Sequence, residues 1–464
     1  MEKRRGGSSQ GELIARSKRA TMAIEENHRL VKLADELDWT EMERRAEEIR
    51  ASKHKSAAGR TPHLRVLLGA MVFRATRYMP YRVLADQIRH YAPARYLCGL
   101  TETEWSPDHR TLHDFMTLMG EEGVRLINEY AVKWAVDENL ADPEVLVGDT
   151  TAQEAAIPHP NEMGLMAAFM NTVAAAGQQA GRAVKQMVGK ASKEFDEAKK
   201  KLREYRLFSK NKTQKAKAQL AAKMATLVAS VNAQLGQALE VGASTKTHLA
   251  KYGLVANAKL TQLHETMKKL IPQIRYWLKT GFVASNKIVS LHCAELYSIV
   301  RGKVGKTVEF GLSWGIRRVG GGFLLATVAQ IKNQLADTKF AVSAVEEHIA
   351  LFGKAPTAYA YDRGGWSTKN VEALKKLGVQ KVGLAPRGKA EWKVKGAAKK
   401  KLVSERAQIE GGIGTIKHAK YGFNRPAARS VRMMGFCGQS AVLGFNLNKM
   451  VRELAKREHR QLVG

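Results

Sequence analysis

Strand-like sequence in this chain comes in two blocks, separated by a long stretch that carries almost none. "EVLVGDTT" (144–151) reads as a short apolar strand, and the next strand signal is "TVEFGLSWGIRRVGGGFLLATVAQI" (307–331), a hairpin about Gly320, Gly321 and Gly322. Between them, residues 165–290 have helical periodicity. Leu220, Met224, Leu227 and Val231 recur at three- and four-residue intervals, as do Leu260, Leu263, Met267, Leu270, Ile274 and Trp277. Two such helices can zip together or against a partner chain. A sheet built from these strands has to be completed around a helical insertion.

After the hairpin the pattern alternates. "SAVEEHIALFG" is a helix, "PTAYAYDRGG" a buried strand ending in Asp362, "TKNVEALKKLG" a helix, "VQKVGLAP" a third strand, and "ERAQIEGGIGTIKHAKYG" (405–422) a further helix. This order predicts a mixed α/β sheet with helices packed on it. The region before residue 140 is helical throughout. A Gly/Ser/Lys/Arg-rich tail (1–22) precedes two short helices that break near Asp38, Trp39 and Thr40, and "HKSAAGRTP" (54–62) is a linker. An apolar helix then ends before Pro80. In "WSPDHRTLHDFMTLMG", Ser106 is expected as the N-cap, Pro107 at the first helical position and Gly120 as the stop. His109 and His113 share a helix face and could ligate a metal, but without a third ligand a capped surface helix is the simpler reading. The expected division is 1–60, tail and short helices; 61–140, a helical DNA-binding or dimerisation domain; 141–164 with 290–464, the α/β domain; and 165–289, the helical insertion.

Lysine and arginine number 76 against 44 acids, a formal charge of +32. That excess exceeds what solubility requires, and its sign condenses on polyphosphate. Ribosomal and membrane-surface proteins also carry such charge, but in low-complexity tails; here it is spread through ordinary apolar periodicity. Nucleic acid is the expected partner. The three cysteines, Cys98, Cys293 and Cys437, offer neither a disulfide framework nor metal-knuckle spacing. With no signal peptide at the start and no run of about 18 apolar residues, a soluble, cytoplasmic and nucleoid-associated protein is expected.

Asp149 and Asp362 each follow an apolar run that should be a central strand, so neighbouring strands would bring both carboxylates to one edge of the sheet. Glu410 can join them from a helix. Three carboxylates without Cys or His make a hard oxygen site, suited to two Mg²⁺ or Mn²⁺ ions. Such an ion pair serves phosphodiester chemistry. Arg406, four residues before Glu410, and Lys417, seven after, lie on the same helix face. Arg406 is placed to hold the Glu410 rotamer and Lys417 to meet a DNA phosphate.

"GDTTAQEAAIPHPNEMGL", "LHCAELYSIVRGKVGKTVEFGLSW", "YAYDRGGWSTKN" and "ERAQIEGGIGTIKHAKYGFNR" together resemble the catalytic blocks of bacterial insertion-sequence DDE transposases, which have an RNase H-like core. "ENHRLVKLADELDW", "LLGAMVFRATRYMPYRVLADQI" and "SPDHRTLHDFMTLMGEEGV" resemble the helical domain preceding that core. The resemblance implies Asp149, Asp362 and Glu410 as catalytic metal ligands, with Arg406, Lys417 and Arg363 supporting them at DNA phosphates. The family's Tyr-Arg-Glu-Lys signature is met at Arg406, Glu410 and Lys417, whereas Val403 stands where the tyrosine belongs. "DRGGWS" likewise departs from the usual "DRGY". The implied activity is binding of terminal inverted repeats, hydrolysis at the element ends and strand transfer to target DNA, by a homodimer or larger synaptic complex. A catalytically silent DNA-binding descendant and a stand-alone metal-dependent nuclease are the rival readings.

Overall fold

The computed structural model describes residues 24–53, 63–100, 105–177, 182–208, 214–244, 250–303, 306–386 and 394–463. The expected tail (1–22) and the linker at 54–62 lie outside the described residues. The chain forms two compact units, 1–156 with 312–464, and 157–311.

The larger unit opens with helices α1 (Arg29–Glu36), α2 (Trp39–Lys53), α3 (Leu64–Thr76), α4 (Tyr81–His90), α5 (Ala92–Leu97) and α6 (His109–Asp137). The break between α1 and α2 falls at Leu37 and Asp38, where expected. Helix α3 is buried almost all round, from Val66 to Thr76, as its unbroken apolar sequence demands. At α6 the capping expectation is corrected. Asp108, not Ser106, is the N-cap, its carboxylate accepting from the amides of Arg110 and Thr111. Asp is the stronger cap, since its charge also meets the positive end of the helix. Gly120 ends the first helical segment as expected, at φ 60° and ψ −162°, and a second segment continues beyond the kink to Asp137.

Strand β1 spans Asp142–Glu154, and β3 (Lys306–Gly320) and β4 (Leu324–Val328) form the expected hairpin. Gly321 and Gly322 turn it at φ +80° and +90°, and a Cβ on Gly321 would stand 2.2 Å from the Leu140 carbonyl oxygen, so only glycine fits. Helix α11 (Asp337–Phe352) leads to β5 (Ala358–Tyr361), α12 (Thr368–Lys376), β6 (Lys381–Leu384), α13 (Gly396–Ile416) and α14 (Val431–Val463). The strand order in this unit is β4-β3-β1-β5-β6, with β1, β5 and β6 parallel. Gly320 beside Asp142 and the Trp314–Gln153 hydrogen bond make β3 antiparallel to β1.

Three expectations need amending here. Strand β1 runs five residues past Asp149 instead of ending there, because Gln153 still bonds Trp314 of β3. Helix α13 starts nine residues before the expected segment. A strand not anticipated, β2 (Tyr297–Lys303), pairs antiparallel with the first half of β3.

Helices cover both faces of β1 and β5, so Val145 to Gly148 and Tyr359 to Tyr361 are all buried. One core runs through Leu68 of α3, Leu146 of β1, Phe340 of α11, Tyr359 of β5 and Leu443 of α14. The α-helical region before residue 140 is part of that core.

The unit 157–311 contains α7 (Glu162–Gly177), α8 (Arg182–Phe208), α9 (Gln214–Ser244) and α10 (Ala250–Thr280). Helices α9 and α10 pack on each other through Met224, Val228, Val231 and Leu235 against Leu260, Leu263, Met267 and Leu270. A buried ion pair, Lys287–Glu162 at 2.6 Å, ties the end of this unit to the start of α7. Among the described residues no helix is long and apolar enough to cross a membrane, and all three cysteines are buried thiols.

Candidate functional site

The ladder between β1 and β5 pairs Val145 with Ala358, Leu146 with Tyr359 and Val147 with Ala360. Asp149 lies two residues beyond Val147 and Asp362 two beyond Ala360, the latter just past the end of β5. Neighbouring strands are about 4.8 Å apart, and both aspartates are among the charges that act on Tyr361 at the end of β5.

Alternation decides which face they take. Thr150 and Tyr361 both bond to α11, whereas Val145 and Ala358 line a cavity with Lys401 and Leu402 of α13. Asp149 and Asp362 have the parity of Val145 and Ala358, and α13 is the helix that carries Glu410.

Each aspartate uses one oxygen locally. Asp149 Oδ1 accepts from the Thr150 amide at 2.7 Å, and Asp362 Oδ1 accepts from the Gly364 amide at 2.7 Å, capping the 3-10 turn Arg363–Gly365. That turn explains "DRGG". A Cβ on Gly364 would lie 2.5 Å from Asp337 Oδ2, and one on Gly365 would lie 2.5 Å from the Tyr361 ring and 2.8 Å from Ala341. A tyrosine at 365 has no room. Arg363 is exposed beside the pair.

Glu410 is oriented differently. Ile409, Gly412, Ile413 and Ile416 turn inward and bury, while the Glu410 side chain is 65 % exposed and meets Arg406 Nη2 at 3.4 Å. An exposed i, i+4 pair at that distance contributes at most about 0.5 kcal/mol, so Glu410 is held loosely. Lys417 is the C-cap of α13 in helical conformation, which keeps it on the line of Arg406 and Glu410. Val403, 46 % exposed on the same helix, presents no aromatic ring. Among the described residues no group of three His, Cys, Asp or Glu side chains stands together in a metal-holding arrangement. His109 and His113 open α6 without a third ligand.

Asp337, which the sequence does not single out, lies directly behind the aspartate pair. Its Oδ1 accepts from the Thr150 hydroxyl at 2.7 Å and the Tyr361 hydroxyl at 3.2 Å. Thr150 follows Asp149 and Tyr361 precedes Asp362, so one carboxylate ties the middle of β1 to the end of β5. Burial raises the Tyr361 pKa far above its ordinary value, and its neighbours Tyr359, Asp337, Asp149 and Asp362 raise it further. Its hydroxyl stays a donor at every relevant pH. The only signal for Asp337 in the sequence is an acid in the first turn of a helix, which capping alone accounts for.

Deeper on the α11 side, Arg317 of β3 is buried and paired with Glu347 at 2.8 Å. Burial and that guanidinium together lower the neighbouring His348 to a pKa of about 4. It is neutral and belongs to the core.

Residues 19–118 match the family model described as Transposase domain (DUF772). The matched span covers α1 to α5 and the start of α6, all outside the sheet, and supports a transposase role. No curated protein and no solved structure matches the chain.

Proposed function

Starting from that match, we propose that the chain is a DNA transposase of the RNase H-like DDE type, acting on the ends of its own element. The observation that carries the proposal is the parallel β1–β5 ladder, with Asp149 two residues past Val147 and Asp362 two past its partner Ala360. The strand order supports it, with an antiparallel hairpin on one side of β1 and parallel strands on the other.

The donor set is all oxygen and suits Mg²⁺ or Mn²⁺. The carboxylates of Asp149 and Asp362 would hold the ions, with Glu410 swinging in from α13. Ions bound there would activate water or a 3′-hydroxyl and neutralise the departing 3′-oxygen. The chain's own residues do the positioning. Asp337 ties the middle of β1 to the end of β5, Arg406 restrains Glu410, and Lys417 and Arg363 meet phosphate charge next to the carboxylates. Terminal repeats and target DNA are the partners, held in a dimer or larger complex because two ends must be joined.

One observation favours a second reading. The outward Glu410 side chain fits a DNA-binding protein that has lost catalysis, and a single experiment separates the two. Purified protein is incubated with Mg²⁺ and duplex DNA carrying the repeats that flank its gene, alongside Asp149→Asn and Glu410→Gln. The transposase reading expects end nicking and strand joining by wild type, and a loss of at least about a hundredfold in both variants, equivalent to roughly 3 kcal/mol of transition-state stabilisation. Binding without nicking by wild type would establish the silent reading; nicking without joining would establish a nuclease.

A further inference from the structure

Four cations of the larger unit gather at one place with no acid among them. Arg29 lies on α1, Arg77 just beyond α3, Lys420 in the turn after α13, and Arg452 on α14. Their common support is Asn448, a buried residue of α14. Its side-chain oxygen accepts from Arg29, and its amide donates to the Thr76 carbonyl and the Tyr421 hydroxyl, both at 3.1 Å. Its backbone carbonyl accepts from Arg452 Nε at 3.3 Å. The Tyr78 amide donates to the Lys420 carbonyl at 2.7 Å. The backbone next to both Arg77 and Lys420 is thus pinned to the same hub.

The packing around the hub has no slack. A Cβ on Gly422 would stand 2.4 Å from the Tyr78 ring, and one on Gly444 would stand 1.8 Å from the Ala75 carbonyl oxygen. Arg77, Lys420 and Arg452 are exposed and Arg29 is half-buried, so the charged heads face solvent from a fixed base. Among the described residues none of the four forms an ion pair. The acids on the neighbouring turns of α14 are engaged elsewhere, Glu453 with Lys449 and Lys456, and Glu458 with Lys32. Burial lowers the Lys420 pKa, and Arg29, Arg452 and Arg77 lower it further. Arg29 is likewise lowered by burial, with Arg77 adding to the effect.

Like charges fixed together cost the free protein stability, and a multivalent anion relieves that cost. Guanidinium forks converging from separate elements match the acceptor oxygens of a phosphate. We infer that Arg29, Arg77, Lys420 and Arg452 form a phosphate site that grips the DNA backbone a few nucleotides from the bond at Glu410. Ten residues of helix and turn from Glu410 to Lys420 span about 10–15 Å, or three to four base-pair steps of about 3.4 Å. The assignment of DNA as the phosphate source rests on the function proposed above.

The test uses the full chain, Arg77→Gln with Lys420→Gln, and Arg77→Lys with Lys420→Arg as the charge-preserving control. Affinity for a 30-base-pair duplex is measured across a salt series, and melting temperature with and without inorganic phosphate. The expected result is a roughly tenfold weaker affinity for the neutralised variant and a salt slope shallower by about 1–2. Its melting temperature without ligand should be no lower than wild type, and the control should keep the wild-type slope. An unchanged slope together with a lower melting temperature makes the cations structural and overturns the inference. Stabilisation of wild type by inorganic phosphate with an unchanged slope assigns the site to free phosphate, which overturns the DNA assignment. Because binding is read without catalysis, the outcomes stay distinct from those of the nicking assay. A wild type that never nicks while the neutralised variant loses slope sinks only the transposase reading. Nicking that depends on Asp149, with an unchanged slope, sinks only this one.

Discussion

Asp337 can set the geometry of the aspartate pair without touching substrate. It accepts from Thr150 and Tyr361, the neighbours of Asp149 and Asp362. Asparagine keeps the accepting oxygen and loses the charge; alanine loses both. If the role is positional, Asp337→Ala should lower end cleavage about tenfold or more and destabilise the fold by about 1–3 kcal/mol, from two hydroxyls left unsatisfied. Asp337→Asn should recover most of the cleavage rate. Cleavage rates and urea denaturation of both variants decide it; an asparagine as inactive as the alanine would mean that the charge itself is needed. Asp149 and Asp362 are conspicuous in the sequence because an acid after an apolar run is out of place in a buried strand. Asp337 is not, because its two partners become neighbours only after residues 187 and 24 positions away fold back on it.

At the scale of elements, close approach separates glycines that look alike in sequence. Gly444 of α14 lies where a Cβ would stand 1.8 Å from the Ala75 carbonyl oxygen of α3, whereas Gly414 of α13 has nothing within 4 Å. Gly444→Ala should destabilise the protein by about 2–3 kcal/mol, since backbone cannot step aside as a side chain can. Gly414→Ala should stabilise by up to about 1 kcal/mol through helix propensity. Chemical denaturation of both tests the α3–α14 packing; equal effects would refute it. The same contrast accounts for what could be read of the elements. Strands β1 and β5 are apolar on consecutive residues, and the hairpin announces itself with three glycines. Strand β2, "YSIVRGK", has only Ile299 and Val300 as aliphatic residues and becomes a strand by pairing with β3.

For the molecule as a whole, the two compact units each have their own buried core. Replacing 170–285 by a short linker should therefore leave the larger unit folded, with a single cooperative melt. If the helical unit joins chains or holds ends, the deletion should lower either oligomer size or end affinity about tenfold. Light scattering and binding measurements that find both unchanged would contradict that role. The mixed α/β class, the helical periodicity of 165–290 and the basic character were all present in the sequence, since periodicity and net charge are properties of the chain itself. Tertiary structure alone decided the rest. Asp337 came to bond Thr150 and Tyr361, inward isoleucines left Glu410 outside, and Asn448 came to bond Arg29, Thr76, Tyr421 and Arg452. Each depends on which residues meet across space, which no local pattern encodes.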